Sequence, residues 1–293
     1  MGSKDYNSFQ KILTKLYGFW DNFGCVLIPP SQTEISSPLF HPTTFFGMIE
    51  DNNIDTMYFQ PHVASKEFDN DKFGIQNYTF LKFQVVLKSK VLNPQQLFLN
   101  SLEYIGLNLK DNDIRFINEN YENFIFRFNA FGYRILFNNV SIAKLHYVQN
   151  IGYHDFTCVP TIITFDLDKI LTILQNNNNL WDISWNGSKE KDEILYSDIM
   201  YKSELENHEF IKDSTTNEII LKQLINFKDI AIKLLDKKII IPAYINILKA
   251  KYCLDILCLR DYIMYDAKLD YSKSLRELVD LCCENYLHEG TNE

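Results

Sequence analysis

Apolar residues recur at two different spacings along the chain, and the spacing changes twice. In residues 9–22 they lie three and four positions apart, which predicts an amphipathic helix. Gly24 ends this helix, and residues 25–28 predict a short buried strand that closes at two prolines. The next segment is rich in serine and proline. It predicts a loop that carries residues 40–45, Phe-His-Pro-Thr-Thr-Phe.

From residue 57 to residue 148 the pattern favours strands. Strands are predicted at 58–60, 78–88, 114–117, 126–137, 140–148 and 159–165, and one helix is predicted at 97–105. Asn138 and Asn139 predict a tight hairpin turn, because asparagine tolerates the left-handed backbone that such turns need. The last predicted strand runs directly into a predicted helix at 166–175.

Helical spacing returns beyond residue 179. Helices are predicted near 218–235, 244–263 and 272–287. The predicted fold class is therefore α+β, an antiparallel sheet flanked by helices and followed by an α-helical C-terminal region. We predict two parts, a core at 1–185 and the helical region at 186–293.

Composition limits the classes of function. The chain has 293 residues, of which 46% are hydrophobic, so it can bury a large core without disulfides. A net charge of −9 argues against a surface that binds nucleic acid throughout, and no DNA partner is expected. No apolar run approaches the roughly 20 residues that span a bilayer, and no secretory signal is seen, so a cytoplasmic protein without a membrane partner is expected. The six cysteines form no CxxC pair, which predicts free thiols and no zinc site.

Common catalytic motifs are missing from the sequence. It contains no GxGxxG, no Walker A lysine loop, no HExxH and no GxSxG. Among the six histidines, His41 is the most interesting, because Pro42 and two threonines follow it in the predicted loop. A structural role for His41 and a catalytic role both stay open at this point.

Acidic residues offer two further candidates. Asp198, Glu204 and Glu206 form an acidic cluster in the sequence that could hold a metal or an ammonium group, or could lie on a solvated helix face. Asp166 and Asp168 stand at the start of a predicted helix, where negative charge suits the helix dipole, and could simply be capping residues.

Short segments in a fixed order carry a family resemblance across residues 8–287. They are residues 19–30 with Phe-Trp, Gly-Cys and Pro, then 40–42, 58–61, 83–85, 113–116, 121–123, 147–149, 164–175, 180–183 and 242–250. Read together, they resemble the α subunit of the two-subunit, class II glycine–tRNA ligases. The first segment is similar to motif 1 of that family, the stretch after residue 60 to motif 2, and residues 164–175 to motif 3.

The resemblance implies a class II synthetase core and a set of partners. In the family a homodimer of α subunits activates glycine with ATP, normally with Mg²⁺ and without a prosthetic group. A larger β subunit completes the α2β2 ligase and supplies most contacts to tRNA(Gly). The resemblance therefore implies an aminoacyl-tRNA ligase.

Site residues are also implied by the matching positions, with the catalytic residues left unassigned. The implied ATP-binding residues are Gln60, Lys66, Lys72, Phe83, Gln84, Asp168 and Lys169. The implied glycine-binding residues are His41, Thr43, Thr44 and Thr164.

Cationic groups that the family uses are absent from this chain. The motif 2 stretch of the family carries several arginines, and residues 61–76 here carry none, with only Lys66 and Lys72 as cations. Lys169 replaces the motif 3 arginine. Catalysis of adenylate formation depends on fixed cationic donors at the phosphates, and lysine lacks the bidentate fork of arginine.

The groups expected around the amino acid differ as well. Arg134, Ser141 and Ile162 stand where the family has glutamates, and Lys144 stands where it has glutamine. Two interpretations therefore stay open: a working α subunit, and a catalytically silent α-like subunit with a binding or structural role.

Overall fold

The computed structural model describes residues 7–50, 52–64, 77–89, 91–156, 159–187 and 192–289. Its α-helices are α1 (Phe9–Phe23), α2 (Pro42–Ile49), α3 (Pro94–Ile105), α4 (Leu167–Leu174), α5 (Tyr196–Lys212), α6 (Asn217–Leu235), α7 (Ile240–Leu259) and α8 (Tyr265–Glu289). The strands are β1 (Val26–Leu27), β2 (Thr56–Val63), β3 (Thr79–Leu87), β4 (Ile114–Asn123), β5 (Phe128–Phe137), β6 (Val140–Ile151), β7 (His154–Asp155) and β8 (Thr161–Asp166).

All eight strands join one sheet. Its order is β1-β2-β3-β8-β6-β5-β4, with β7 paired to β6 beside this path. Every pairing is antiparallel except the parallel pair β1–β2. The α+β class, the flanking helices and the helical C-terminal region are thus confirmed. Within the described ranges, no helix is long and apolar enough to cross a membrane.

The two faces of the sheet are covered by different helices. One face packs with α1, α3 and α4 around Leu16, Trp20 and Phe165. The other face packs with α2, α7 and α8, where Phe45 stacks on Tyr244 at 4.7 Å between ring centroids. This second apolar cluster crosses the predicted boundary at residue 185, and the division of the chain into two parts remains a prediction.

Local chemistry explains where several elements begin and end. The Ser8 side chain accepts a hydrogen bond from the amide of Lys11 and caps α1, and Gly24 ends that helix with a φ of 105°. Asn138 and Asn139 have φ values of 49° and 67°, which confirms the predicted hairpin turn between β5 and β6. Among the described residues, Cys25, Cys253, Cys258, Cys282 and Cys283 are free thiols.

Three predictions about local structure are wrong. Residues 40–45 do not form a loop: Pro38–Phe40 is a 3-10 turn, and Pro42 then begins α2, because proline suits the first helical position. Residues 26–27 are exposed, not buried, since β1 lies at the sheet edge and pairs only with β2. Strand β4 runs to Asn123, well past the predicted end at residue 117.

Candidate active site on the polar face of the sheet

Polar side chains occupy paired positions on neighbouring strands across the middle of the sheet. In the strand register Gln84 pairs with Thr164, Thr164 with Lys144, and Lys144 with Arg134. Side chains at paired positions point to the same face, and this face is the one that α2, α7 and α8 cover in part. The Thr164 hydroxyl donates to the Oε1 atom of Gln84 at 2.9 Å. The structure therefore brings together two predicted site residues, Gln84 and Thr164.

An ion pair lies on the same face, two positions along β3 and β8 from Gln84 and Thr164. Lys82 pairs with Asp166 across β3 and β8, and its ammonium group lies 5.3 Å from the centre of the Phe80 ring. Burial lowers the pKa of Lys82, while nearby Asp168 opposes that shift. This lysine was visible in the sequence as a polar interruption of an apolar strand, and it holds its cation on the polar face.

A second ion pair lies on the other side of the polar row. The Lys144 ammonium group and the Oε1 atom of Glu119 are 2.7 Å apart, across β5 from each other. Gly132 lies between them in the register, flanked by His146 on β6 and Glu119 on β4. Sequence patterns do not reveal Glu119 or His146 as site residues, because their closeness depends on the pairing of three strands.

Several buried polar atoms on this face make no hydrogen bond in the described part of the chain. They are His41 Nδ1, His62 Nε2, Gln84 Nε2, Glu119 Oε2 and His146 Nε2. Four of these side chains are almost fully buried, with Gln84 at 0% and His146 at 4% exposure. An unsatisfied buried polar group costs about 1–3 kcal/mol, so such groups call for a partner.

The buried histidines stay neutral. Burial lowers the pKa of His62 well below its usual value, and Lys82 and His41 act in the same direction. Burial also lowers the pKa of His146 to about 4; Lys144 adds to the shift and Glu119 opposes it. Uncharged imidazoles can donate or accept a hydrogen bond without adding charge to the site.

His41 is the N-cap residue of α2 and is held against the main chain. Its Nε2 atom lies 3.0 Å from the carbonyl oxygen of Pro29, which can only accept, so Nε2 carries the proton. Burial lowers the pKa of His41, while the bond to Pro29 opposes that shift. A neutral ring protonated at Nε2 leaves Nδ1 as an acceptor. The ring centre lies 4.7 Å from that of Tyr58.

The two predicted threonines of the same segment, Thr43 and Thr44, point to different sides of α2. Thr44 is buried and donates to the hydroxyl of Tyr58 at 3.0 Å, and that hydroxyl donates to the carbonyl of Pro38. Thr43 is exposed at the start of α2. Thr44 therefore supports the packing of Tyr58, and Thr43 lies at the surface.

Other predicted ATP-binding residues have structural partners. Gln60 is buried; its Oε1 accepts from the amide of Ser31 at 2.6 Å, and its Nε2 donates to the carbonyl of Pro61. Phe83 lies on the opposite face of the sheet, fully buried in the cluster with Tyr17 and Phe165. The structure does not bring Phe83 together with Gln84, since neighbours in a strand point to opposite faces.

Motif 3 places Asp166, Asp168 and Lys169 at the start of α4. The capping interpretation requires an aspartate side chain to accept a hydrogen bond from an amide in the first turn of α4, and neither side chain makes such a bond. Instead Asp168 is buried and accepts from the Leu81 amide at 2.9 Å and from the Tyr196 hydroxyl at 3.1 Å. Burial raises its pKa to about 6, and these two bonds and Lys82 oppose the shift. Lys169 is half-buried, and burial lowers its pKa.

The acidic cluster predicted from the sequence does not exist in the fold. Asp198 is exposed and accepts from the Leu195 amide at 2.8 Å. Glu204 is buried and accepts from the amides of Tyr78 and Thr79, and Glu206 pairs with Lys202 at the surface. Two residues apart on a helix, Glu204 and Glu206 point in very different directions. Within the described ranges, no three His, Cys, Asp or Glu side chains form a possible metal site. The predicted residues Lys66 and Lys72 lie outside the described ranges.

Comparison with known proteins identifies the family of this chain. A family model described as the glycyl-tRNA synthetase alpha subunit matches residues 9–291. The glycine–tRNA ligase alpha subunit of Wigglesworthia glossinidia brevipalpis is 30% identical over 290 residues, 96% of this chain and 93% of that protein. Two solved structures of pyrrolysyl-tRNA synthetase from Desulfitobacterium hafniense overlap with 61% of this chain and with 74% and 73% of their own, at 10% and 13% identity and TM-scores of 0.41 and 0.40.

The family match and the predominantly antiparallel sheet define the class of protein as a class II aminoacyl-tRNA synthetase. More narrowly, the chain belongs to the glycyl-tRNA synthetase alpha subunit family.

Proposed function

We propose that this chain is a working α subunit of a glycine–tRNA ligase, which activates glycine with ATP and, with a β subunit, charges tRNA(Gly). The observation that carries the proposal is the set of buried polar atoms without partners on the sheet face, above all Gln84 Nε2 and His146 Nε2. A bound ligand that supplies acceptors and donors here recovers the free energy that these atoms otherwise lose.

The reaction defines what such a site must do. A glycine carboxylate oxygen attacks the α-phosphorus of ATP, a bond to that phosphorus forms, and pyrophosphate leaves. Negative charge is stabilised by donors that are already oriented, such as the Gln84 amide, and by the Lys82 cation. In this proposal Lys66, Lys72 and Lys169 supply the remaining charge that the family obtains from arginine, and Thr164 orients Gln84.

In this proposal the Mg²⁺ ion binds together with ATP. Since the described part of the chain holds no group of three or more candidate metal ligands, a Mg²⁺ ion would enter with the ATP phosphates. Magnesium commonly binds in this way, through phosphates and one or two carboxylates. Asp166 lies on this face directly before the motif 3 helix, α4, and would be the carboxylate that contacts the ion.

Two copies of the chain and two β subunits form the proposed α2β2 assembly, in the cytoplasm. Phe23, Val26 and Leu27 expose 39%, 52% and 57% of their surface at the end of α1 and on the edge strand β1. Exposed apolar groups on a sheet edge favour association. The net charge of −9 supports the proposal that tRNA(Gly) binds mainly to the β subunit.

Charging of tRNA(Gly) tests this proposal. The purified chain is mixed with its β subunit, ATP, Mg²⁺, radiolabelled glycine and tRNA(Gly), and labelled tRNA is counted. We expect charging that depends on both subunits. Failure to charge, with a β subunit shown to bind the chain, contradicts the proposal.

A second candidate function, a catalytically silent subunit that binds partners, is favoured by one observation. The lysines Lys82 and Lys144 are each already paired with a carboxylate on the sheet face. The positive charge of each lysine is therefore largely neutralised by a carboxylate of the same protein and is less able to stabilise phosphate charge. Residues 61–76 contain no arginine to replace it. Titration with a non-hydrolysable glycyl-adenylate analogue separates the two candidates, because only the working subunit needs to bind it.

A further inference from the structure

Small residues on β5 allow side chains from its two neighbouring strands to meet above it. Gly132 and Ala130 occupy successive positions of β5 on the polar face, between β4 and β6. Across Gly132, the Oε1 atom of Glu119 reaches the Lys144 ammonium group at 2.7 Å. Across Ala130, the rings of Tyr121 and His146 approach to 5.7 Å. These four side chains therefore lie next to one another above β5 on the polar face.

One carboxylate oxygen of Glu119 has no partner among the described residues. While Oε1 pairs with Lys144, Oε2 is buried and makes no hydrogen bond to any described residue. A carboxylate oxygen can only accept when ionised, so its natural partner is an N–H or ammonium donor. The Lys144 pair fixes the orientation of the carboxylate and leaves this second oxygen free for such a donor.

No other carboxylate on this part of the described sheet face is free to take that donor. Asp166 pairs with Lys82 in the neighbouring row. At the three positions where the family resemblance implies glutamates, this chain has Arg134, Ser141 and Ile162, none of which is a carboxylate. An arginine repels an ammonium group and an isoleucine cannot accept a hydrogen bond from it. Glu119 is the carboxylate that remains.

We infer that Glu119 Oε2 receives the α-ammonium group of a small amino-acid substrate, and that Lys144 is a positioning residue that orients Glu119. The inference deepens the proposed function and rests on it for the identity of the amino acid as glycine. The neutral His146 ring, whose centre lies 5.7 Å from that of Tyr121, does not repel the ammonium group, and its buried Nε2 atom makes no hydrogen bond to any described residue.

Isosteric substitution tests the role of Glu119. Glu119→Gln keeps the shape of the side chain but removes its charge, and Glu122→Gln is the matched control, an exposed glutamate of the same strand on the opposite face. Two readouts are used: the KM for glycine and for ATP in ATP–pyrophosphate exchange, and calorimetric binding of glycine against glycolate, in which a hydroxyl replaces the ammonium group. Thermal unfolding checks that both variants fold.

We expect Glu119→Gln to raise the KM and Kd for glycine roughly 10- to 100-fold and to abolish the preference over glycolate, with the KM for ATP unchanged. Glu122→Gln should behave as the unmodified chain. For the positioning residue, Lys144→Met should raise the glycine KM and Lys144→Arg should restore it. An unchanged glycine KM and glycolate ratio in Glu119→Gln overturns the inference.

The two proposals fail in different ways. If the chain binds glycine through Glu119 but shows no exchange even with a β subunit, the inference stands and the proposed function falls. If exchange proceeds and Glu119→Gln leaves glycine recognition unchanged, the proposed function stands and the inference falls. If the chain neither binds glycine nor supports exchange, both are overturned.

Discussion

Two buried carboxylates, Glu204 and Asp168, accept hydrogen bonds from backbone amides of distant segments. Glu204 of α5 has 2% exposure, and its two oxygens accept from the amides of Tyr78 and Thr79, at 2.5 and 3.2 Å. The residues joined by the first bond are 126 positions apart. Glu204 therefore fixes the start of β3, the strand that carries Lys82 and Gln84.

Removal of this carboxylate should destabilise the fold. Glu204→Ala leaves one buried and one part-buried amide without this acceptor, so we expect the free energy of unfolding to fall by about 2–4 kcal/mol. Glu206→Ala, two positions along the helix, breaks only an exposed ion pair and should change it by less than about 0.5 kcal/mol. Urea unfolding measures both variants. Equal effects would contradict the structural role assigned to Glu204.

Asp168 gives the fold a pH dependence of known sign. Its pKa of about 6 in the folded chain lies above the ordinary value of about 3.9, so between these values the folded state binds more protons than the unfolded state. Stability from the protonated carboxyl is present at low pH and is lost as the pH rises through about 6.

Asp168→Asn imitates the protonated form at every pH. Relative to the unmodified chain, the variant should therefore gain about 1–3 kcal/mol in free energy of unfolding between pH 4 and pH 7. Asp21→Asn, at an exposed aspartate of α1, is the matched control. Denaturant unfolding across this pH range measures the difference, and a relative loss for Asp168→Asn over the same range would show that the sign is wrong.

At the residue scale, sequence alone could find only part of the candidate site. Gln84 and Thr164 follow from the family resemblance, and the structure joins them by a hydrogen bond. The sequence cannot reveal that Glu119 meets Lys144, 25 positions away, because their contact depends on the register of three strands. It also cannot show that Asp168 is fully occupied by the Leu81 amide and the Tyr196 hydroxyl.

Among the elements, β5 depends on a glycine where it crosses the polar face. A Cβ atom at Gly132 would lie 2.0 Å from the carbonyl oxygen of Leu145, which is backbone and cannot move aside easily. By contrast, Gly18 in α1 has nothing within 4 Å of such an atom.

Alanine at these two glycines should therefore have opposite effects. Gly132→Ala should lower the free energy of unfolding by about 2–4 kcal/mol, because the β5–β6 pairing must shift. Gly18→Ala should raise it by about 0.5–1 kcal/mol, because glycine weakens a helix interior. Thermal and urea unfolding check both. A stable Gly132→Ala variant with unchanged glycine binding would contradict the close approach described at this position.

Elements with strong periodicity were predictable, and those set by tertiary contacts were not. The predicted strand at 78–88 and the helix at 97–105 agree closely with β3 and α3, since their apolar residues repeat at strand and helix spacing. Helix α5 is not predicted by its apolar pattern, because only Tyr196, Glu204 and Ile211 are buried in its 17 residues. One of these three, Glu204, is charged and accepts a hydrogen bond from the amide of Thr79 at the start of β3.

For the whole molecule, the exposed edge of the sheet is where a second copy is proposed to bind. Replacing Leu27, which is 57% exposed on β1, with glutamate places charge in that apolar patch. We expect Leu27→Glu to convert a dimer to a monomer in light scattering. Leu92→Glu, at a fully exposed leucine that is not part of β1, should leave the mass unchanged. A chain that is monomeric without substitution contradicts the proposed dimer.

The activity of this protein depends on whether its altered polar face still activates glycine. The most direct measurement is glycine-dependent ATP–pyrophosphate exchange by the purified chain in the presence of its β subunit. We predict incorporation of labelled pyrophosphate into ATP above the glycine-free background. No exchange above that background, with both subunits folded and associated, would contradict the proposed activity and leave the silent subunit as the function of this chain.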